Sequence, residues 1–282
     1  MTEPNQSNNA YALGYSETEL RRLQCQSEFY RPLTRAIIED AGIKPGMCII
    51  DIGCGVGDVS FLLSEIVGPE GEVIGIDLGE LAVQRAMARA QELGLRNVRF
   101  FQGNERSAVA LSKEAPIDAV FGRFVLLHQQ QPVSFVRTLA EAVRPGGLLV
   151  FQDPDYSLLL QSNPPLPLAD QVRRWIFAGH AGIGAATDIS FRIPGIFRAA
   201  GLQPPKQRLV CPIISSQYEL ICQVAAELIE VFEPLLIKQD VASAAEINID
   251  SLAARLVDGL QRNRSVLQPL CLADTWLRLP AP

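Results

Sequence analysis

One stretch, residues 49–63, constrains the fold of this chain more than any other part of the sequence. It opens with a short apolar run of the kind found in buried strands and reaches Asp51. Three glycines then stand at alternate positions: Gly53, Gly55 and Gly57. From Val59 onward the apolar residues recur with helical spacing. A strand, a glycine turn and a helix in this order predict a nucleotide site at the carboxyl end of a parallel sheet.

The spacing of the glycines argues against a dinucleotide as the ligand. The dinucleotide fingerprint G-x-G-x-x-G needs a third glycine, and in the two frames that position is Asp58 or Ser60. Asp51 stands just before the loop, where its charge would oppose a pyrophosphate and would favour a cationic ligand. S-adenosylmethionine carries a sulfonium and an ammonium group and no phosphate, so it meets this requirement.

Residues Asp51 to Gly57 resemble the first motif of class I S-adenosylmethionine-dependent methyltransferases, and the resemblance extends from Lys44 to about Asp153. It implies an α/β fold of the Rossmann-like, doubly wound type. The implied sheet has seven mostly parallel strands in the order 3-2-1-4-5-7-6, with a helical cap of the kind found in small-molecule enzymes. The resemblance also implies S-adenosylmethionine as cofactor and S-adenosylhomocysteine as product.

Apolar runs alternate with amphipathic segments as far as residue 153, which predicts parallel strands joined by right-handed helical crossovers. The expected strands cover residues 47–50, 72–76, 98–102, 117–121 and 148–152. A sixth strand is expected over 208–214 and a final strand over 270–279, with helices over 218–237 and 247–260 between them.

The amino-terminal part is expected to hold two helices, from Ser16 to about Tyr30 and over residues 33–41, separated at Pro32. Three regions follow from these assignments. They are a helical lid over residues 1–42, a cofactor-binding core over 43–153, and the remaining core strands with an inserted helical cap or substrate region over 154–282.

The composition favours a small-molecule partner over nucleic acid or membrane. The chain has 282 residues, 48% of them hydrophobic, and a net charge of −6, whereas nucleic-acid binding usually needs a basic surface. No apolar run reaches the length of a bilayer, and the first residues lack the pattern of a targeting segment. Six scattered cysteines and two histidines indicate reduced thiols in the cytoplasm and no metal site. The oligomeric state stays open, a homodimer included.

Several residues are expected to hold the adenosyl part of the cofactor. Asp77 follows the second strand, where a carboxylate can accept hydrogen bonds from both ribose hydroxyls. The alternative for Asp77 is a helix cap. By the resemblance, Leu78 packs on the adenine, and the loop with Asn104 and Glu105 faces its ring. Many family members have Asp where Asn104 stands. The Asn104 side chain can still pair with the adenine amino group through its carbonyl, but without the negative charge of Asp.

The segment after the fourth strand, residues 121–128, supplies candidates for the methionine end of the cofactor and for catalysis. Arg123 has the fork of donors that suits a carboxylate, although a surface position is the alternative. His128 is a candidate general base, and a packing role for it is the alternative. By resemblance to the lids of small-molecule methyltransferases, Tyr11 and Gln26 close over the methionine end of the cofactor, and helix packing is the alternative for both.

Substrate contacts are expected from Tyr30 and from the aromatic part of the cap: Trp175, Phe177 and His180. The alternative is that these side chains fill the core. The pair Arg21-Arg22 is expected on a solvated helix face. The segment 153–156, Asp-Pro-Asp-Tyr, superficially resembles a motif of DNA amino-methyltransferases, but that motif belongs after strand four, so no role is expected here.

The sequence therefore predicts a cytoplasmic enzyme that transfers a methyl group from S-adenosylmethionine to an N, O or C atom of a small, largely apolar metabolite, in secondary metabolism. Two alternatives remain open at this point. One is an NAD(P)-dependent oxidoreductase, and the other is a non-catalytic sensor that retains the adenosyl site. Fold alone does not decide among the three.

Overall fold

The computed structural model describes residues 17–281, with nine strands in that range. In chain order they are β1 (Cys48–Ile52), β2 (Glu72–Asp77), β3 (Val98–Gln102), β4 (Ile117–Arg123), β5 (Val143–Asp155), β6 (Gln161–Asn163), β7 (Lys206–Val210), β8 (Val266–Gln268) and β9 (Cys271–Arg278). Seven of them form one sheet in the order β3-β2-β1-β4-β5-β9-β7, and β6 and β8 form a separate antiparallel pair.

The described helices connect and cover these strands. They are α1 (Glu17–Ala41), α2 (Asp58–Val67), α3 (Glu80–Glu92), α4 (Glu105–Leu111), α5 (Pro132–Ala142), α6 (Pro167–Gly182), α7 (Ile189–Ala199), α8 (Glu219–Lys238), α9 (Ala244–Ile247) and α10 (Ile249–Asn263). A single 3₁₀ turn, Leu126–His128, follows β4.

The predicted fold class is confirmed. Strands β1 to β5 run parallel, and β9 pairs antiparallel with both β5 and β7. Numbered by their appearance in this sheet alone, the strands have the order 3-2-1-4-5-7-6. Helices α8, α9 and α10 lie between β7 and β9 in the chain, so they interrupt the final hairpin, as the sequence predicted.

Both faces of the sheet are buried, which explains why its strands are continuous apolar runs. Successive residues of a strand point to opposite faces. Ile49 packs with Leu62 and Leu63 of α2 on one face, whereas Ile50 packs on the other face with the cluster that contains Val136 of α5 and Phe197 of α7. The sheet therefore carries two separate cores and holds the carboxyl ends of its central strands in a fixed geometry.

The amino-terminal helices were predicted as two, and this is wrong: α1 is one helix that continues through Pro32. A proline inside a helix removes a hydrogen bond, but Tyr30, Ile37 and Ile38 around it are buried, and their burial favours an unbroken helix. An ion pair of 2.9 Å between Arg21 and Glu227 links α1 to α8.

Two elements were not expected from the sequence. Helix α4 begins directly after Asn104, in a segment predicted as a loop. The β6–β8 pair has no counterpart among the predicted strands, and Ile214 forms an isolated bridge with Leu267 of β8. Within residues 17–281, no helix is both long enough and apolar enough to cross a membrane.

Candidate functional site

A cavity of about 340 Å³ lies at the carboxyl ends of the parallel strands, where the strand order reverses between β1 and β4. Four groups of residues line it. The loops after β1, β2 and β3 contribute Gly53, Gly55, Asp77, Leu78, Asn104 and Glu105. The turn after β4 contributes Arg123, Phe124, Val125 and His128. The segments beyond β5 contribute Tyr156, His180, Ile183, Leu228 and Leu270, and α1 adds Arg22, Leu23 and Gln26.

The glycine loop is held against β2 by its backbone. The amide nitrogens of Gly53 and Cys54 donate to the carbonyl of Ile76 at 2.7 and 3.1 Å. Gly53 has φ +69°, a conformation that other residues rarely adopt, and a Cβ there would collide with Cγ1 of Val125. Glycine is therefore required at this position both by the backbone conformation and by the close approach of Val125.

Asp77 connects two loops of the site. Its Oδ2 accepts a hydrogen bond from the amide of Gly55 at 2.8 Å, and its Oδ1 accepts one from the amide of Gly79 at 2.9 Å. A carboxylate can accept several hydrogen bonds at once. Asp77 thus has a structural role in fixing the glycine loop, and it lines the cavity as well.

The outer side of the glycine loop is fixed by Arg89. Its guanidinium donates to the carbonyl of Val56 and to Oδ1 of Asp58, both at 2.7 Å, and lies 5.1 Å from the centroid of the Phe61 ring. Gly57, predicted to bind the cofactor, does not line the cavity. It has φ +90° at the start of α2, and a Cβ there would lie 2.7 Å from Cζ of Phe61, so its role is in the turn.

Asp51 lines the cavity but is only 1% exposed, and its Oδ2 accepts a hydrogen bond of 2.5 Å from Oγ of Ser60. Burial raises the pKa of this carboxyl to about 7, although Ser60 and the nearby Arg123 favour the ionised form. The sequence argument used the charge of Asp51, and in the folded chain desolvation opposes the ionisation that this charge requires. A cation bound beside Asp51 would lower its pKa and restore the charge.

Asn104 caps a helix as well as lining the cavity. Its Oδ1 accepts a hydrogen bond from the amide of Arg106 at 3.0 Å, and Ser107 completes a capping box at the start of α4. The Asn104 side-chain carbonyl, which was predicted to face adenine, thus already accepts one hydrogen bond within the protein. Leu78 lines the cavity and is 45% exposed, so an apolar surface is available beside Asp77.

The turn after β4 places Arg123 and His128 in the cavity wall. Nη1 of Arg123 donates to Oγ1 of Thr34 at 3.3 Å, which links the turn to α1. Phe124 has φ +58°, and its amide donates to the carbonyl of Gln152 at 2.9 Å. A non-glycine residue in this conformation is strained, and such strain concentrates at functional sites.

The 3₁₀ turn that carries His128 is capped by Asp153. Oδ1 of Asp153 accepts hydrogen bonds from the amides of Leu126 and Leu127 at 3.0 and 3.3 Å. Within residues 17–281, Oδ2 of the same side chain has no hydrogen-bond partner, and burial raises the pKa of the carboxyl to about 7. Burial, together with His180 and Arg22, lowers the pKa of His128 to about 4, so this imidazole is neutral at physiological pH.

The part of the cavity beyond β5 is formed by aromatic and apolar side chains. The hydroxyl of Tyr156 lies 2.8 Å from Nε2 of His180, and Nδ1 of His180 lies 2.8 Å from the carbonyl of Ile176. Burial lowers the pKa of His180 to about 4. Ile183, Leu228 and other apolar residues complete this wall.

The comparison with protein families identifies the chain. A family model described as "Methyltransferase domain" matches residues 43–191, more than half of the sequence. The chain belongs to this methyltransferase family. The resemblance seen in the sequence is confirmed: the domain is of the S-adenosylmethionine-dependent class, and its cofactor is S-adenosylmethionine.

Relatives of this methyltransferase share only part of its length. Demethylmenaquinone methyltransferase from Lactococcus lactis subsp. lactis (strain IL1403) is 35% identical over 131 residues, which cover 46% of this chain and 48% of that protein. Nocamycin O-methyltransferase from Saccharothrix syringae is 44% identical over 71 residues, 25% of each chain. The chain thus spans about half or less of the length of these two relatives.

A solved structure extends the likeness to most of the methyltransferase fold. The structure of the 4+2 cyclase SpnF aligns with a TM-score of 0.51 at 18% identity, over 89% of this chain and 82% of that chain. At this identity the likeness shows the fold alone. Because that structure is named as a cyclase, the fold does not by itself establish the reaction.

Three of the predicted substrate residues of the methyltransferase do not line the cavity. Trp175 is buried in the apolar core. Phe177 stands behind Tyr156, with ring centroids 5.8 Å apart. Tyr30 is buried, and its hydroxyl donates to the carbonyl of Leu270 at 3.3 Å. The core-filling alternative therefore describes these three aromatics, because the sheet and the cap bury their large apolar surfaces. His180, the fourth, does line the cavity.

Helix α1 contributes one predicted residue and one unexpected residue to the site. Gln26 lines the cavity as predicted, and its Oε1 accepts a hydrogen bond from Nη1 of Arg22. The expectation of a solvated Arg22 is wrong: the side chain is buried, and Glu19 accepts two hydrogen bonds from it at 2.7 Å. The i, i+3 spacing of Glu19 and Arg22 was a visible signal for this pair. Tyr11, the other predicted lid residue, lies outside the described residues.

The segment 153–156 was expected to have no role, and this expectation is also wrong. Asp153 caps the His128 turn and Tyr156 lines the cavity. Asp155 accepts a hydrogen bond from Oγ of Ser190 at 2.5 Å, which ties the segment to α7. The signal available in the sequence was position, because this segment follows a parallel strand at the edge of the sheet where ligands bind.

Proposed function

We propose that this methyltransferase transfers the methyl group of S-adenosylmethionine to an N, O or C atom of a small, largely apolar metabolite. The observation that carries the proposal is one continuous cavity. It joins the loops after β1, β2 and β3 to an apolar and aromatic wall beyond β5. With strands about 4.8 Å apart, the ends of β2 and β5 are separated by three spacings, roughly 14 Å. A cofactor and an acceptor can therefore lie side by side along the sheet edge.

In this proposal the adenosyl part lies over β1, β2 and β3. The Asp77 carboxylate, which lines the cavity at the end of β2, binds the ribose hydroxyls, and the exposed face of Leu78 covers the adenine. Asn104 and Glu105 border the ring. The bare backbone of Gly53 and Gly55 allows the ligand to approach closely.

The methionine part lies toward β4 and α1. The Arg123 guanidinium binds the methionine carboxylate, and Asp51, once ionised, attracts the ammonium and sulfonium groups of the cofactor. Gln26 lies on the α1 side, and we propose that Tyr11 joins it as part of a lid. On this view residues 1–42, 43–153 and 154–282 serve as lid, cofactor-binding core, and core strands with substrate cap.

The acceptor lies in the wall formed by segments beyond β5. Its apolar lining, with residues such as Ile183 and Leu228, suits a largely apolar molecule that a few polar groups orient. The names of the relatives from Lactococcus and Saccharothrix refer to demethylmenaquinone and nocamycin, both small molecules. This supports a small acceptor for this chain and a place in secondary metabolism. The net charge of −6 supports it over nucleic acid.

Methyl transfer from a sulfonium is a displacement at an already activated carbon. The protein needs to align the acceptor with the methyl group and to exclude water. His128, neutral and in the wall, is one group that can receive a proton in this reaction. All six cysteines are free thiols, and we propose the reducing cytoplasm as the compartment.

Calorimetry with S-adenosylhomocysteine tests the cofactor assignment. We expect wild-type protein to bind, and Asp77→Ala to weaken binding by about 1–3 kcal/mol, since hydrogen bonds to a charged acceptor are lost and Gly55 is released. The matched control is Asp258→Ala, which removes a carboxylate that pairs with Arg262 on the surface of α10. Equal affinity in both variants would show that the ribose assignment is wrong.

The same protein distinguishes the remaining alternatives. Binding of NADH that is tighter than that of S-adenosylhomocysteine, measured by fluorescence titration, would favour an oxidoreductase. Binding of S-adenosylhomocysteine without methyl transfer to any of a broad set of phenols, amines and thiols would favour a sensor. No heat at millimolar S-adenosylhomocysteine would contradict the proposed function as a whole.

A further inference from the structure

We propose that Tyr156 and His180 form the proton-accepting pair for the acceptor, and that the site takes acceptors with a phenolic or enolic hydroxyl. The inference rests on the proposed function and goes beyond it in naming the pair and the acceptor class. Its starting point is the placement of both side chains in the cavity wall beyond β5, on the side away from Asp77 and Leu78.

The contacts of His180 determine which of its nitrogens carries the proton. The carbonyl of Ile176 can only accept a hydrogen bond, so Nδ1, 2.8 Å away, must donate one. In the neutral ring Nε2 is then an acceptor, and the Tyr156 hydroxyl, 2.8 Å away, donates to it. Burial keeps the ring neutral because it lowers the pKa of His180 to about 4.

The orientation of the Tyr156 hydroxyl follows from this assignment. Because its proton points to His180, its oxygen presents lone pairs to other groups. The Tyr156 oxygen can therefore accept a hydrogen bond from a ligand in the cavity, and Nε2 of His180, its neighbour, can accept the proton. An acceptor molecule with an O–H group can donate to Tyr156, whereas the corresponding methyl ether cannot.

The pair is held by packing against two further aromatic rings. The ring of His180 lies 4.8 Å from that of Tyr156 and 4.9 Å from that of Phe232, and Phe177 packs behind Tyr156. Gly179, next to His180, allows Phe232 of α8 to approach α6, because a Cβ at that position would collide with the Phe232 ring. Such packing keeps both side chains oriented without a ligand, as a preorganised site requires.

The step balances as follows. The acceptor oxygen forms a bond to the methyl carbon while the sulfur–methyl bond breaks, and its electron pair remains on sulfur. The acceptor proton passes to the oxygen of Tyr156, and the Tyr156 proton passes to Nε2 of His180. The positive charge thus moves from the sulfonium to the imidazolium, which afterwards loses its proton to water. A weak base suffices because an oxygen that has gained a methyl group holds its proton only weakly.

The test uses 4-nitrophenol and its methyl ether, 4-nitroanisole, as probes of the protein saturated with S-adenosylhomocysteine, with all measurements made in buffer acidic enough that this acidic phenol keeps its proton. We expect wild-type protein to bind the phenol about 3- to 10-fold more tightly than the ether, the range of one net hydrogen bond. Tyr156→Phe should remove this preference. The control is Tyr218→Phe, which removes another buried hydroxyl. That hydroxyl donates to the carbonyl of Ser265 at 2.6 Å, and Tyr218 does not line the cavity.

Turnover separates orientation from proton acceptance. A glutamine at position 180 can still accept the Tyr156 hydrogen bond but cannot take up a proton. We expect His180→Gln to keep the preference for the phenol and to slow methyl transfer to 4-nitrophenol about 100-fold or more, and Tyr156→Phe to slow it similarly. Both variants should retain the wild-type affinity for S-adenosylhomocysteine.

Several results would refute the proposed role of Tyr156 and His180 as the proton-accepting pair. They are equal binding of phenol and ether by wild-type protein, a preference that survives Tyr156→Phe, or transfer in Tyr156→Phe within threefold of that in Tyr218→Phe. The binding measurements decide the question even where 4-nitrophenol is not methylated. Protein that binds no S-adenosylhomocysteine would instead contradict the proposed function, so the two failures are distinguishable.

Discussion

Replacing Gly53 by alanine tests how the glycine loop is built. Gly53 has φ +69°, and a Cβ there would lie well inside van der Waals contact with Cγ1 of Val125, compared with about 3.5–4.0 Å for ordinary carbon contacts. Val125 is buried, and its branched side chain has one preferred rotamer, so it cannot easily move aside. The substitution therefore adds a steric clash to a backbone strain.

The two contributions can be separated with a matched glycine. Gly94 has φ +66°, and nothing lies within 4 Å of a Cβ built on it. Gly94→Ala should therefore lower the free energy of unfolding by about 1 kcal/mol, the cost of the left-handed conformation alone. Overpacking adds about 1–3 kcal/mol, so Gly53→Ala should cost about 2–4 kcal/mol in total.

Urea unfolding of the two variants measures these values, and calorimetry with S-adenosylhomocysteine measures the effect on the site. Because Val125 lines the cavity, we expect Gly53→Ala to weaken binding and Gly94→Ala to leave it unchanged. If Gly53→Ala were no more destabilising than Gly94→Ala, the close approach of the loop to Val125 would be refuted.

Three further predictions concern residues that line the cavity or support its loops. Arg89→Ala should weaken binding of S-adenosylhomocysteine in calorimetry by about 1–3 kcal/mol, because Val56 and Asp58 lose their common donor; unchanged binding would show that the loop needs no such support. His128→Ala should leave cofactor affinity intact and slow transfer if His128 receives a proton, and an unaltered rate across pH would exclude that role. The wild-type protein should lose stability relative to Asp153→Asn as the pH rises from about 4 to 7, measured by urea unfolding at each pH. Over that range the folded state keeps the Asp153 proton, since its pKa is raised to about 7, whereas the unfolded state, with an ordinary pKa near 3.8, loses it. A pH-independent difference between the two proteins would contradict this.

Local patterns in the sequence carried enough information to predict the part of the cavity at the ends of β1 and β2. The strand, the alternate glycines and the carboxylate after the second strand are close in the chain or at fixed positions of a parallel sheet. The structure accordingly places Gly53, Gly55 and Asp77 together in the cavity wall. Their individual roles toward the cofactor remain predictions that calorimetry can test.

The part of the cavity beyond β5 could not be predicted in the same way. Tyr156 and His180 are 24 residues apart, and nothing in either segment shows that the two side chains meet. Tyr30, Trp175 and Phe177 have the same aromatic character and yet lie outside the cavity lining. Residue type alone cannot distinguish a ring that fills the core from one that borders a cavity, because the difference lies in what packs behind it.

The sequence by itself determined the α/β fold and the glycine turn after the first strand, because these follow from the period of apolar residues and from glycine chemistry, whereas the strand order was implied by the family resemblance. Only the tertiary structure decided the desolvation of Asp51, which raises its pKa, the burial of Arg22 and the pairing of Tyr156 with His180. The physical reason is that ionisation and hydrogen bonding depend on desolvation and on partners from distant segments, and both exist only once the chain has folded.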